Sequence, residues 1–194
     1  MHILETELVK PSIRTPKVLL IDMHQKYIYP GTGFEYEIGE KEGKGFTVNV
    51  PLPPFAHDES YKLVFEELVH PIAEEFNPQF IIRNGGSDPH IDDGITQLGL
   101  ALKGFNYIGQ KVREIAEICD GKEVDLICSG YKPNISPKAW SAIISGLADI
   151  EVQMKEPLSS AITKARKLEK TKDMIKEVKR NLHLYWKAMA ADTT

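Results

Sequence analysis

Three short apolar runs, each ending in polar residues, constrain this chain most. They are Lys17-Val18-Leu19-Leu20-Ile21, Phe80-Ile81-Ile82 and Val124-Asp125-Leu126-Ile127-Cys128. Short runs of this kind are expected of strands buried on both faces, as in parallel sheets. Between them the apolar residues change to a 3.6-residue period. Tyr61, Val64, Phe65, Leu68, Val69, Ile72, Ala73 and Phe76 predict one helix, with Asp58 as its cap and Pro71 bending or breaking its last turn. Tyr107, Ile108, Val112, Ile115, Ala116 and Cys119 predict a second, and Trp140, Ile143, Ile144 and Leu147 a third. Phe46-Thr47-Val48-Asn49-Val50 alternates like a further strand, which Pro51, Pro53 and Pro54 should end. Strands alternating with helices imply an α/β fold in three layers, a mostly parallel sheet flanked by helices. The 194 residues suit one such domain.

The pattern divides the chain into an irregular N-terminal arm over 1–16, an α/β domain over 17–150 and a helical extension over 151–194. The extension is Lys-rich from Thr163 to Arg180, and Met174, Ile175, Val178, Leu182, Tyr185 and Trp186 fall on one helical face. A long C-terminal helix with an apolar stripe and a solvated charged face follows. The net charge of −4 gives no general basic face, so nucleic acid is not an expected partner. No apolar run approaches the roughly 20 residues that span a bilayer, and Met1 to Glu7 do not read as a signal peptide. Cys119 and Cys128 have no CxxC spacing, which favours a reducing cytoplasm.

In sheets of this class, ligands bind outside the carboxyl ends of the strands. Three segments lie there. Asn84-Gly85-Gly86-Ser87-Asp88-Pro89-His90 offers glycines for close backbone approach and, in Asp88 and His90, two donors suited to a divalent metal. A turn in which Asp88 bonds its own backbone accounts for the same residues. Asp22-Met23-His24 carries similar chemistry, or is a strand-end Asp beside a partly exposed His. In Ser129-Gly130-Tyr131, the phenol of Tyr131 either donates to a developing oxyanion or is a rim aromatic.

Together these segments resemble the histone deacetylase, acetoin utilization and acetylpolyamine amidohydrolase superfamily. Tyr29-Pro30-Gly31-Thr32-Gly33-Phe34 looks like its PGTG loop, and Gly43 to Pro54 like the segment that follows. Gly85 to His90 resembles its AGFDAH loop, and Gly130-Tyr131 its GGY. The resemblance covers about 17–150 and implies part of the arginase–deacetylase fold. Members hydrolyse acetyl-lysine or acetylpolyamine amides with zinc, a His pair and an oxyanion-stabilising Tyr. It places Asp88 as a metal ligand and Tyr131 as the catalytic Tyr, with Gly85, Gly86, His90 and Gly130 shaping the site. The Gly-His-His and DxDxHHGDG segments have no recognisable counterpart. Asp22-Met23-His24 resembles either a remnant of the Asp-x-His of that second segment or, as its closeness to Pro30-Gly31 favours, the family's Ser-Leu-His strand, and Cys128 and Ser129 stand where Glu and Gly are common. The expectation is a superfamily member that is inactive by itself or needs a complementary N-terminal chain or a homo-oligomer. The alternatives are a non-catalytic binding protein, or a rebuilt metal site at Asp22, His24 and Asp88.

Overall fold

A computed structural model describes residues 12–29, 31–153, 155 and 168–190. Its strands form two parallel pairs. β1 (Leu20–Gln25) lies along β2 (Thr47–Leu52), in register from Leu20 opposite Thr47 to Gln25 opposite Leu52. β3 (Ile81–Gly85) lies along β4 (Glu123–Ile127), with Ile82 opposite Val124 and Asn84 opposite Leu126. Helices connect the strands: α1 (Asp58–Val64), α2 (His70–Phe76), α3 (Leu102–Ala116), α4 (Ser136–Ala148) and α5 (Leu168–Leu182). This is the α/β organisation with parallel strands and a long C-terminal helix that the sequence implies.

Four local expectations are corrected. β1 starts at Leu20 and runs past Ile21 to Gln25, so Asp22 and His24 are strand residues rather than loop residues. The ladder to β2, not the apolar run, sets its ends. β2 continues through Pro51 to Leu52, because proline is tolerated where a ladder does not use its N–H. The cap of α1 is His57, whose Nδ1 accepts from Glu59 N–H at 3.2 Å. Asp58 instead accepts from Ala101 N–H at 2.9 Å and so ties α1 to the start of α3. Finally, β3 is not buried on both faces, since Ile82 is 66% exposed.

Pro71 does not break the helix. A π-helical turn, Phe65–Val69, precedes it, and Pro71 sits in the first turn of α2. Proline clashes with the carbonyl four residues back and leaves it without a donor. The wider turn accommodates this, with His70 N–H donating to Phe65 O.

The core gathers on β2, α1, α2, α3 and α5. Val48, Val50 and Leu52 of β2 are fully buried against it, as are Leu68, Ile72, Phe105, Ile175 and Leu182. The stripe of α5 packs as its period predicts up to Leu182, where the helix ends; Tyr185 and Trp186, expected on the same helical face, lie beyond it, and Tyr185 is exposed. Trp186 closes this side: its Nε1–H donates to Gly45 O at 2.7 Å, and its ring meets Phe46 edge-on at 5.1 Å. α3 and α4 cross where Gly109 and Gly146 meet. A Cβ on Gly109 would lie 2.2 Å from Ile143 O, and one on Gly146 2.1 Å from Asn106 O. Two helices and two strands are joined by left-handed residues. Asn77 ends α2, just ahead of β3, and Asp120 follows α3, ahead of β4. No helix among the described residues is long and apolar enough to cross a membrane.

Candidate functional site

The parallel pairing puts the carboxyl ends of β3 and β4 side by side, so the loops after Gly85 and Ile127 grow from adjacent points. Backbone bonds join them at once: Cys128 N–H donates to Gly85 O at 3.0 Å and Ser87 N–H to Ser129 O at 2.7 Å. Close approach needs glycine at two positions. A Cβ on Gly86 would fall 1.8 Å from Ser129 Oγ. Gly130 has φ +149°, and a Cβ there would meet Ser87 Oγ at 2.0 Å. Below them, buried Ser87 donates its hydroxyl to Ser136 Oγ at 3.0 Å and so ties the loop to α4.

Asp88 faces this seam. Its carboxylate accepts from the Ser129 hydroxyl, and its main-chain oxygen accepts from the Thr96 hydroxyl at 2.7 Å. Tyr131, on the other loop, is 54% exposed. Its main chain is fixed by Asp93, a buried carboxylate that accepts from Tyr131 N–H at 2.8 Å and Lys132 N–H at 3.1 Å. The same side chain approaches Ile95 N–H at 3.4 Å. Asp93 is thus the strap between the loop that carries Asp88 and the loop that carries Tyr131. His90 is enclosed, stacked at 6.1 Å on Phe105, and its Nδ1 accepts from Asp92 N–H at 3.0 Å.

The end of β1 belongs to the same edge, because Gln25 Oε1 accepts from Gln97 N–H at 2.5 Å. Within β1, Asp22 Oδ2 lies 3.2 Å from His24 Nδ1. The His24 ring packs on Gly33, where a Cβ would fall 2.6 Å from Cε1. Glu37 holds that turn by accepting from Gly33 N–H at 2.5 Å and Phe34 N–H at 2.7 Å. Beneath the seam lies the buried Tyr61. Burial first, then the negative charges of Asp88 and Asp58, push its phenol well above the usual range.

Asp22, His24 and Asp88 do not form a metal-binding group. Among the described residues no cluster of three His, Cys, Asp or Glu side chains is arranged to hold a metal ion. Zinc sites usually need three or four protein ligands. Here Asp22 and His24 face each other on β1, while Asp88 is taken by Ser129. The described residues alone therefore do not fit a catalytic zinc.

Residues 8–147 match the family described as "Histone deacetylase domain". The chain belongs to the histone deacetylase family. It is 38% identical over 179 residues to a "Probable deacetylase" of Archaeoglobus fulgidus, covering 88% of this chain and 50% of that protein. It is 33% identical over 117 residues to "Histone deacetylase 14, chloroplastic" of Arabidopsis thaliana, covering 60% and 28%. Among solved structures, the HDA15 HD domain superposes with a TM-score of 0.77 at 25% identity, covering 92% of this chain and 47% of that one. The histone deacetylase Clr3 superposes with a TM-score of 0.78 at 26% identity, covering 91% and 29%. The chain thus spans half the length of its Archaeoglobus relative and less of the others.

Proposed function

We propose that this chain supplies one half of a deacetylase active site, acting on acetylated lysine or polyamine amides when the other half is provided by a partner. The strapped pair of loops after β3 and β4 carries this reading. Asp93 and Ser129 keep a carboxylate, Asp88, and a phenol, Tyr131, on one edge of the sheet. In such a site Tyr131 donates its hydroxyl to the oxyanion of the tetrahedral intermediate, a contact stronger in the transition state than in the substrate. Gly86 and Gly130 allow the two loops to close on each other. Zinc is the metal the family implies, and the described residues by themselves do not assemble its ligands.

This reading assigns the chain to a reducing cytoplasm, and the free thiols of Cys119 and Cys128 support that assignment. The test is hydrolysis of an acetyl-lysine peptide by the purified chain with added zinc. No turnover above the metal blank is expected. Turnover abolished by Asp88→Asn would overturn the half-site reading. A second reading, a non-catalytic binding protein, is favoured by the hydrogen bond that already occupies Asp88. It predicts that no added partner restores hydrolysis.

A further inference from the structure

A cleft opens beyond the α3–α4 crossing. At the crossing the two backbones touch, since a Cβ on Gly146 would lie 2.1 Å from Asn106 O and 2.8 Å from Gln110 N. Past it, Asn106 and Gln110 of α3 face Ser145 and Asp149 at the end of α4 across a cavity of about 230 Å³. Asp149 is left-handed at φ +56°, and Ile150 N–H then donates back to Ser145 O at 2.9 Å. That reversal brings Ile150, Glu151 and Val152 to the opening as a lip. Ile150 and Val152 stay 58% and 45% exposed. The cleft is separate from the edge that carries Asp88 and Tyr131. Ser136, which holds that edge through Ser87, is nine residues before Ser145 on α4, about 14 Å along the helix axis.

The walls of the cleft are short of donors. Asn106 Nδ2 donates to Ser145 Oγ at 2.9 Å and to Ala142 O at 3.3 Å. A main-chain oxygen only accepts, so the nitrogen faces α4 and Oδ1 is left over. The Ser145 hydroxyl proton is spent on Ala142 O at 2.8 Å. Arg113 Nη1 takes Asp149 Oδ2 at 2.9 Å, which leaves Oδ1. Gln110 and exposed Glu151 make no side-chain hydrogen bond or ion pair among the described residues. Unspent acceptors on Asn106, Gln110, Asp149 and Glu151 thus stand against one unspent side-chain donor, Gln110 Nε2, and no cation lines the cleft. An anionic ligand would be repelled by the two carboxylates, and an apolar one would strip water from these oxygens without replacing its hydrogen bonds. No cluster of three His, Cys, Asp or Glu among the described residues is arranged for a metal ion. An ammonium supplies three donors and a positive charge in one small group. Ile150 and Val152 offer apolar surface for a short chain behind it, and the volume falls below the roughly 300–1,000 Å³ of drug-sized sites. We infer that this cleft binds a small primary alkylammonium ion. Its head sits on Asn106 Oδ1, Gln110 Oε1 and the two carboxylates, and its chain lies against Ile150 and Val152. The site stands apart from the half-site reading and uses none of its residues.

The test titrates the full chain with n-pentylammonium chloride and follows backbone amide shifts by NMR. Pentanol and sodium pentanoate, at the same pH and ionic strength, are the neutral and anionic controls. Saturable shifts centred on Gln110 and the stretch from Ser145 to Val152 are expected for the ammonium and for neither control. Gln110→Ala should weaken binding about tenfold, as for loss of a hydrogen bond to a charged group. Glu151→Lys should weaken it about fivefold, because contacts between exposed charges are individually weak. Both side chains lie outside the hydrophobic core, and unchanged amide shifts elsewhere in each variant show that the fold is kept. Shifts that do not saturate overturn the inference, as does pentanol or pentanoate binding as tightly as the ammonium. Binding that both substitutions leave intact also overturns it. Shifts centred on Asp88 and Tyr131 instead assign the amine to the strand-end loops and equally remove the cleft as its site.

Discussion

Replacing Asp93 with Ala should release the Tyr131 loop. The buried carboxylate accepts from two successive main-chain N–H groups, at 2.8 and 3.1 Å, across 38 and 39 residues of sequence. Hydrogen bonds to a charged group contribute about 1.5–3 kcal/mol each, and an unsatisfied buried donor costs about 1–3 kcal/mol. Tyr131 and Lys132 are not fully enclosed, so water recovers part of the loss. The net cost of Asp93→Ala is then about 3 kcal/mol. Asp93→Asn keeps one oxygen, which can accept from both N–H groups. Its amide nitrogen, however, would face the weak 3.4 Å contact to Ile95 N–H, at a cost of about 1 kcal/mol. Urea denaturation gives both values. Amide exchange at Tyr131 and Lys132 should speed up by at least tenfold in the Ala variant, since about 1.4 kcal/mol corresponds to a factor of ten. Equal stabilities for the two variants, with unchanged exchange at Tyr131, would refute the strap.

Three further outcomes follow from the packing and charges. Gly109→Ala pushes a methyl into the Ile143 carbonyl at the α3–α4 crossing and should cost about 3 kcal/mol by denaturation, the upper end of overpacking, because the obstacle is backbone. Asp125→Ala strands Arg83 on the inward face of the β3–β4 ribbon; breaking a buried pair costs about 3–5 kcal/mol, and nearby Glu123 reduces this to about 2–3 kcal/mol. Glu123 has a carboxyl raised above its ordinary value, first by burial and then by Asp125, with Arg83 opposing. An acid raised in the folded state binds its proton more tightly there, so its stabilising contribution is complete below the unfolded value and is lost as pH rises through the folded one. Glu123→Gln should therefore raise Tm at pH 7, with the difference shrinking toward pH 4; a difference constant with pH would contradict this.

Much of the frame was legible from periodicity. The stripe of Met174, Ile175, Val178 and Leu182 predicted a packed helix, and all four are buried. The strand–loop junction near Cys128 was legible to within one residue, since β4 ends at Ile127, whereas β3 runs on to Gly85, three residues past the apolar run that ends at Ile82. The limits of β1 were not, since its six residues are all half-buried and the ladder to β2 decides its ends. The exposure of Ile82 was also hidden. An apolar run implies burial only if something covers it, and runs as short as these do not display the parity that separates Ile82 and Val124 from Arg83 and Asp125. Asp93 carried no local signal for its role, because its partners lie 38 and 39 residues away and are main-chain N–H groups that any residue supplies. The pairing of Asp88 with Ser129 across 41 residues was hidden for the same reason.

The most direct measurement is the rate of acetyl-lysine peptide hydrolysis, with zinc, by the chain alone and with the complementary half of the Archaeoglobus relative. The expected result is no turnover alone and turnover on mixing, reduced about 10²–10³-fold by Tyr131→Phe, as for loss of one oxyanion donor. Hydrolysis by the chain alone, or hydrolysis on mixing that Tyr131→Phe leaves intact, would contradict a shared active site built on Asp88 and Tyr131.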